Sequence, residues 1–157
     1  MEYYIKQRFF SWNDRFSIYD ASGNVRYYVE GEVFSWGKKL HLSDVYGNEL
    51  AFIEQKLFSW KPRYYIHRPG ANTLEVVKEF TFFKDRYFVN GIDWRVEGDV
   101  FDHSYEIIQG NDAIVGVSRE WFSLGDAYAI RTAYGIDDTA ALAVVLVIDA
   151  CIEAERY

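Results

Sequence analysis

Gly135-Ile136-Asp137-Asp138-Thr139-Ala140-Ala141-Leu142-Ala143-Val144-Val145-Leu146-Val147-Ile148-Asp149-Ala150-Cys151-Ile152-Glu153 is the segment from which the architecture of this chain can be worked out. Gly135 stops what precedes it, and the two aspartates that follow offer an N-cap and suit the positive end of a helix dipole. Alanine and leucine favour helix, whereas the Val/Ile run slightly opposes it, so burial must supply the remainder. From Ala140 to Ile148 the segment is apolar on every face, which requires a helix surrounded by protein or by lipid. A membrane span needs about 20 apolar residues, and this run ends at Asp149 after nine. The segment therefore predicts a helix over about 138–155, buried in the protein's own core, and no transmembrane segment.

The chain upstream must supply the sheath. Phe10-Ser11-Trp12 recurs as Phe34-Ser35-Trp36 and Phe58-Ser59-Trp60, each step 24 residues, and a degenerate copy, Phe82-Phe83-Lys84, lands at the next step. Later copies drift, at Phe101-Asp102-His103 and Phe122-Ser123-Leu124. Fixed-period self-similarity marks a repeated supersecondary unit. Between copies each unit reads as two strands joined by a turn, at Ala21–Asn24, Tyr46–Asn48, Pro69–Asn72, Asn90-Gly91 and Gly110–Asp112. Gly/Asn pairs supply the positive φ angles that tight hairpins need. Alternation of Ile92, Trp94 and Val96 with Asp93, Arg95 and Glu97 has the period of 2 expected of strands with one apolar face. Both prolines, Pro62 and Pro69, fall at strand ends, where a missing ladder donor costs little.

With the opening strand from Tyr3 and a last strand near Ala127–Tyr134, about twelve antiparallel strands are expected over residues 3–134. Twelve strands about 4.8 Å apart and tilted about 40° close into a barrel roughly 23–24 Å across. A helix with its side chains fills about 10–12 Å of that width. The expectation is a mainly β protein: a closed antiparallel barrel around one buried C-terminal hydrophobic helix, a single domain over 1–157.

Asp20-Ala21-Ser22-Gly23-Asn24 through Gly31, then Leu40-His41-Leu42-Ser43-Asp44 and Gly47-Asn48-Glu49-Leu50, together with the hydrophobic terminal helix, resemble the LURP-one-related (YxjI-like) family. The resemblance spans essentially the whole chain and rests on turn spacing and the helix. It implies the tubby C-terminal-like fold, a twelve-stranded barrel around a central helix shared with tubby proteins and phospholipid scramblases. It implies no assigned activity. No tubby lipid-contacting residue matches a position here, and no scramblase-like acidic calcium segment is present, so neither is carried over.

Composition narrows the function classes. Seventeen basic against 24 acidic residues give a net charge of −7, which disfavours generic nucleic-acid binding through phosphate neutralisation. The single cysteine, Cys151, excludes an intrachain disulfide framework and fits a reducing, cytoplasmic compartment. No basic region followed by an apolar one opens the chain, so no secretory signal is expected.

No catalytic residue, metal site or cofactor is expected. Cys151 sits within the apolar helix, where a thiol is inert. His41, His67 and His103 lie in different units, without metal-ligand spacing, and read as solvated surface residues. No phosphate-cradling glycine loop occurs. Asp149, the one acid in the buried run, should lie near the barrel mouth and meet an arginine, a hydroxyl or water. The Phe-Ser-Trp residues read as aromatics closing the core at a rim in preference to a stacking platform.

The placement of basic residues is the most informative functional feature. Turns of an antiparallel barrel alternate between two rims, so the Phe-Ser-Trp connections share one. Arg15, Lys38, Lys39, Lys61, Arg63, Lys84 and Arg86 follow or lie within the first four copies. Edge protection and solubility are the plain reading. The sharper one is a rim that recognises an anionic lipid headgroup, a phosphorylated ligand or an acidic protein, in a domain that is peripheral at the membrane. Asp14, Asp85 and Asp126 dilute that field. The alternative class is an enzyme, hydrolase-like, with a surface cleft, for which no residue set is identified.

Overall fold

A computed structural model describes residues 1–6, 15–32, 35–80, 86–122 and 125–155. The strands are β1 (Glu2–Lys6), β2 (Arg15–Asp20), β3 (Val25–Gly31), β4 (Lys39–Asp44), β5 (Glu49–Gln55), β6 (Arg63–His67), β7 (Leu74–Glu79), β8 (Arg86–Asn90), β9 (Trp94–Asp99), β10 (Ser104–Gln109), β11 (Asp112–Phe122) and β12 (Gly125–Thr132). Each pairs antiparallel with its neighbour in sequence, and β1 pairs with β12 to close the barrel. Helix α1 (Asp138–Glu155) follows.

The 24-residue period is a hairpin unit. At its first two turns one aspartate does the same work: Asp20 Oδ1 accepts from the Ser22 and Asn24 amides, and Asp44 Oδ1 accepts from the Tyr46 and Asn48 amides. Each turn sits beside a register shift, between Ile18 and Tyr19 and between Leu42 and Ser43. Such bulges add twist, which a closing sheet requires.

All twelve strands and α1 contribute to one apolar cluster, with Ile18, Leu42, Ile66, Ile107 and Ile130 among the fully buried strand residues. Ala140 through Ile148 have no solvent exposure on any side. A helix sealed around its whole circumference by twelve closed strands runs through the barrel. Asp137 caps it, its Oδ1 accepting from the Ala140 amide at 3.1 Å, and Arg68 from the β6–β7 turn holds the other carboxylate oxygen at 2.7 Å. The Tyr3 hydroxyl donates to Asp138. The helix enters at this rim, here the entry rim, and its last turn reaches the opposite, exit rim.

The outer wall carries Glu30, Glu54, Glu75, Arg95, Glu97 and Arg131 among its outward side chains. An apolar interior and charged exterior invert the pattern of a lipid-facing barrel. No helix among the described residues is long and apolar enough to cross a membrane.

Candidate functional site

The exit rim is where charge, strain and exposed aromatic surface come together. Four groups from the barrel grip the end of α1 there. Lys38, between β3 and β4, donates its Nζ to the Ala150 carbonyl oxygen at 3.1 Å. Lys78 of β7, only 1% exposed, pairs with Glu155. The Tyr128 hydroxyl of β12 donates to Asp149, and His103 Nε2, from the β9–β10 turn, lies 3.4 Å from the same carboxylate. The His103 ring stacks on Tyr128 with centroids 4.4 Å apart. Cations at a helix C-terminus meet the negative end of its dipole and its unpaired carbonyls. Burial pushes the Tyr128 and Tyr105 hydroxyls well above their usual range, with the Asp149 carboxylate adding to both, and burial pulls the Lys38 ammonium down.

Asp149 therefore lies near the mouth as expected and meets a hydroxyl, one of the three partners expected of it, together with a histidine that was not. His103 overturns its expectation. It is 2% exposed, because the turn that carries it folds inward over α1 with a left-handed backbone at φ 50°. His41 and His67 do lie on the outer wall, each bonded to carboxylates: His41 to Glu49 and Glu32, His67 to Glu54. Burial pushes the Cys151 thiol up to about 12, ahead of the opposing pull of Lys78 and Lys38.

The predicted rim residues separate into two groups. Lys38 points inward and is structural. Arg15 opens β2, its guanidinium 3.9 Å from the centre of the Tyr28 ring. Lys61 pairs with Glu79 at 2.6 Å and Arg63 with Glu75 at 3.3 Å. Lys39 and Arg86 open β4 and β8 and form no ion pair among the described residues. Lys84 lies outside the described residues, as do Asp14, Asp85, the first Phe-Ser-Trp copy and Phe34, Phe82 and Phe83. Lys56, which the sequence reading passed over, is exposed at the start of the β5–β6 connection. Basic side chains thus line the arc of rim from β3 to β8, interspersed with Glu32 and Glu79, whereas exposed Asp99 and Asp102 occupy the arc beyond β9.

The described aromatics of the repeats correct another expectation. Trp36, Phe58 and Trp60 do not close the core: they are 82%, 103% and 92% exposed. Phe80 and Phe101 also face solvent. The core needs no such lid, because α1, Lys38, Lys78 and His103 already fill the exit mouth. The connections that carry these rings are fixed. Ser35 Oγ donates to the Gly37 carbonyl, the Lys38 amide donates to Gln55 Oε1, the Gln55 amide donates to the Lys38 carbonyl, and the Lys56 amide donates to the Arg63 carbonyl. A Cβ on Gly37 would lie 2.7 Å from Leu57 Cδ2, so adjacent connections pack without a gap.

Elsewhere, two open depressions mark the outer wall. One lies around Gly116 between Glu106 and Arg131, the other around the β8–β9 turn. Among the described residues no group of three or more His, Cys, Asp or Glu side chains is placed to hold a metal ion.

A family model for LURP-one-related proteins matches residues 1–149. An uncharacterised protein of Bacillus subtilis (strain 168), YxjI, is 37% identical over 149 residues, covering 95% of this chain and 92% of its own length. No solved structure gives a significant match.

Proposed function

The chain belongs to the LURP-one-related family, and from that premise we propose that it is a non-enzymatic docking domain whose exit rim recognises an anionic ligand. The observation that carries this reading is the arc of Lys39, Lys56, Lys61, Arg63 and Arg86, in or directly after connections β3–β4, β5–β6 and β7–β8, in a chain with net charge −7. Local charge of one sign focuses field onto a rim even when the whole molecule carries the other sign. Lys61 and Arg63 are paired with Glu79 and Glu75, Lys39 is half-buried opposite Glu54, and Lys56 and Arg86 are exposed to solvent. The polar groups buried deeper, His103, Asp149 and Tyr128, serve the helix, and the lone buried thiol suits a reducing cytoplasm.

The test uses inositol hexakisphosphate, a soluble polyanion, followed by amide chemical shifts. Saturable shifts should map to the β3–β8 arc of the exit rim, weaken as salt is raised, and vanish in a K39A/K61A/R63A/R86A variant that keeps the wild-type melting temperature. Shifts absent at low salt, or scattered over the outer wall, would overturn the reading.

A further inference from the structure

The exposed rings on the same arc carry the argument one step further, and this step rests on the rim reading above. We infer that the partner is the interfacial zone of an anionic lipid bilayer, into which Trp36, Phe58 and Trp60 insert while the flanking cations meet headgroups.

Three observations support it. First, Trp36, Phe58 and Trp60 stand at the tips of two neighbouring connections and leave almost their entire surface in water. Isolated exposed apolar residues are ordinary, but a cluster of the largest ones on one rim marks a contact surface. Second, Phe58 has φ 57°. A left-handed backbone costs a bulky residue about 1 kcal/mol or more, and glycine would remove that cost. Here it holds a ring outward where the fold gains nothing from it. Third, the spacing of charge and ring is that of the interface, where Trp and Phe sit at headgroup depth and Lys and Arg extend to phosphates. Lys56 on one side, and Lys61 and Arg63 on the other, flank Leu57, Phe58 and Trp60 along one connection. These rings, each almost fully exposed, project from a base pinned by hydrogen bonds within and between the two connections. The acids at Asp99 and Asp102 lie beyond the arc, so the barrel docks tilted, with the β3–β8 side of the exit rim down.

Vesicles of phosphatidylcholine, with and without phosphatidylglycerol, and with bromine on the acyl chains, test this. The full chain should bind the anionic vesicles and show quenched tryptophan emission. A W36A/W60A variant should lose most of that quenching and bind about a hundredfold more weakly, with F58A about tenfold weaker. These side chains are exposed, so melting temperatures should stay at the wild-type value. Anionic binding without quenching, and undiminished in W36A/W60A, would overturn insertion while leaving an anion-recognising rim. Loss of self-association in W36A/W60A by sedimentation, with no vesicle binding by either protein, would assign the rings to a second copy of the chain and overturn the inference. If neither vesicles nor inositol hexakisphosphate bind, the rim reading falls, and the inference with it.

Discussion

Lys38 Nζ sits 3.1 Å from the Ala150 carbonyl oxygen, so a rim lysine caps the helix that fills the barrel. The contact joins a connection between two strands to a residue far along the chain, and it places a cation at the negative end of the α1 dipole. Replacing Lys38 with Met keeps the apolar stem but removes a charge-assisted hydrogen bond to a carbonyl in the last turns of α1. The expected cost is about 1–3 kcal/mol, read as a lower midpoint in urea. K39A, on the outward side of β4, should leave that midpoint unchanged. Equal effects would show that Lys38 is one more surface cation.

One histidine of the outer wall, His41, gives stability a pH dependence. Partial burial alone pulls His41 down, but hydrogen bonds to Glu49 and Glu32 outweigh it and raise the group above its ordinary value of 6.5. A raised pKa means that folding favours the protonated form. The contribution is complete below 6.5 and disappears as pH rises through the folded-state value. The side chain is more than a third exposed, so screening keeps the effect below about 0.5 kcal/mol. A nuclear magnetic resonance titration should put the His41 midpoint above 6.5, and H41Q should flatten that part of the stability profile. A midpoint at or below 6.5 would mean that the carboxylate contacts do not persist in solution.

The central architecture was legible because it depends on period and length alone. An all-apolar nine-residue run is too short for a bilayer and too apolar for a surface, and strict alternation with Gly/Asn turns left the upstream segments no state but strand. Strands β2 (Arg15–Asp20) and β4 (Lys39–Asp44) end just before the turns read from sequence at Ala21–Asn24 and Tyr46–Asn48, since an Asp-anchored turn fixes one end of each. The exit rim was less legible. Whether Trp36 closes a core or faces water depends on how full the mouth already is, and that is settled by Lys38, Lys78 and His103, residues remote in sequence. His103 read as a surface residue because a polar residue in a turn ordinarily is one. Its burial follows from a partner, Asp149, that only the threaded helix brings within reach.

Cys151 should be silent in the native protein. Its thiol lies on α1 near the exit mouth, and burial raises its pKa to about 12, so at neutral pH almost none of it is thiolate. Iodoacetamide should leave the folded chain unmodified and label it once it is unfolded in guanidinium. Labelling at the rate of a free thiol under native conditions would place the last turns of α1 outside the barrel.

Gly98 and Gly23 separate steric from conformational demands on glycine. Both have positive φ, 122° and 84°. At Gly23, in the β2–β3 turn, an added Cβ meets nothing within 4 Å, so Gly23→Ala should cost only the left-handed penalty of about 1–2 kcal/mol. At Gly98 the Cβ would lie 2.7 Å from both the Ser104 carbonyl oxygen and Tyr105 Cα, backbone atoms of the paired strand β10. Neither atom can swing aside, so the β9–β10 ladder must open, and the turn between them carries His103 toward Asp149. Gly98→Ala should therefore cost about 2–4 kcal/mol in denaturant unfolding and shift the His103 ring resonances, whereas Gly23→Ala leaves those resonances in place. Equal losses from the two substitutions would show that the hairpin absorbs the methyl group, and that Gly98 is kept for its backbone angle alone.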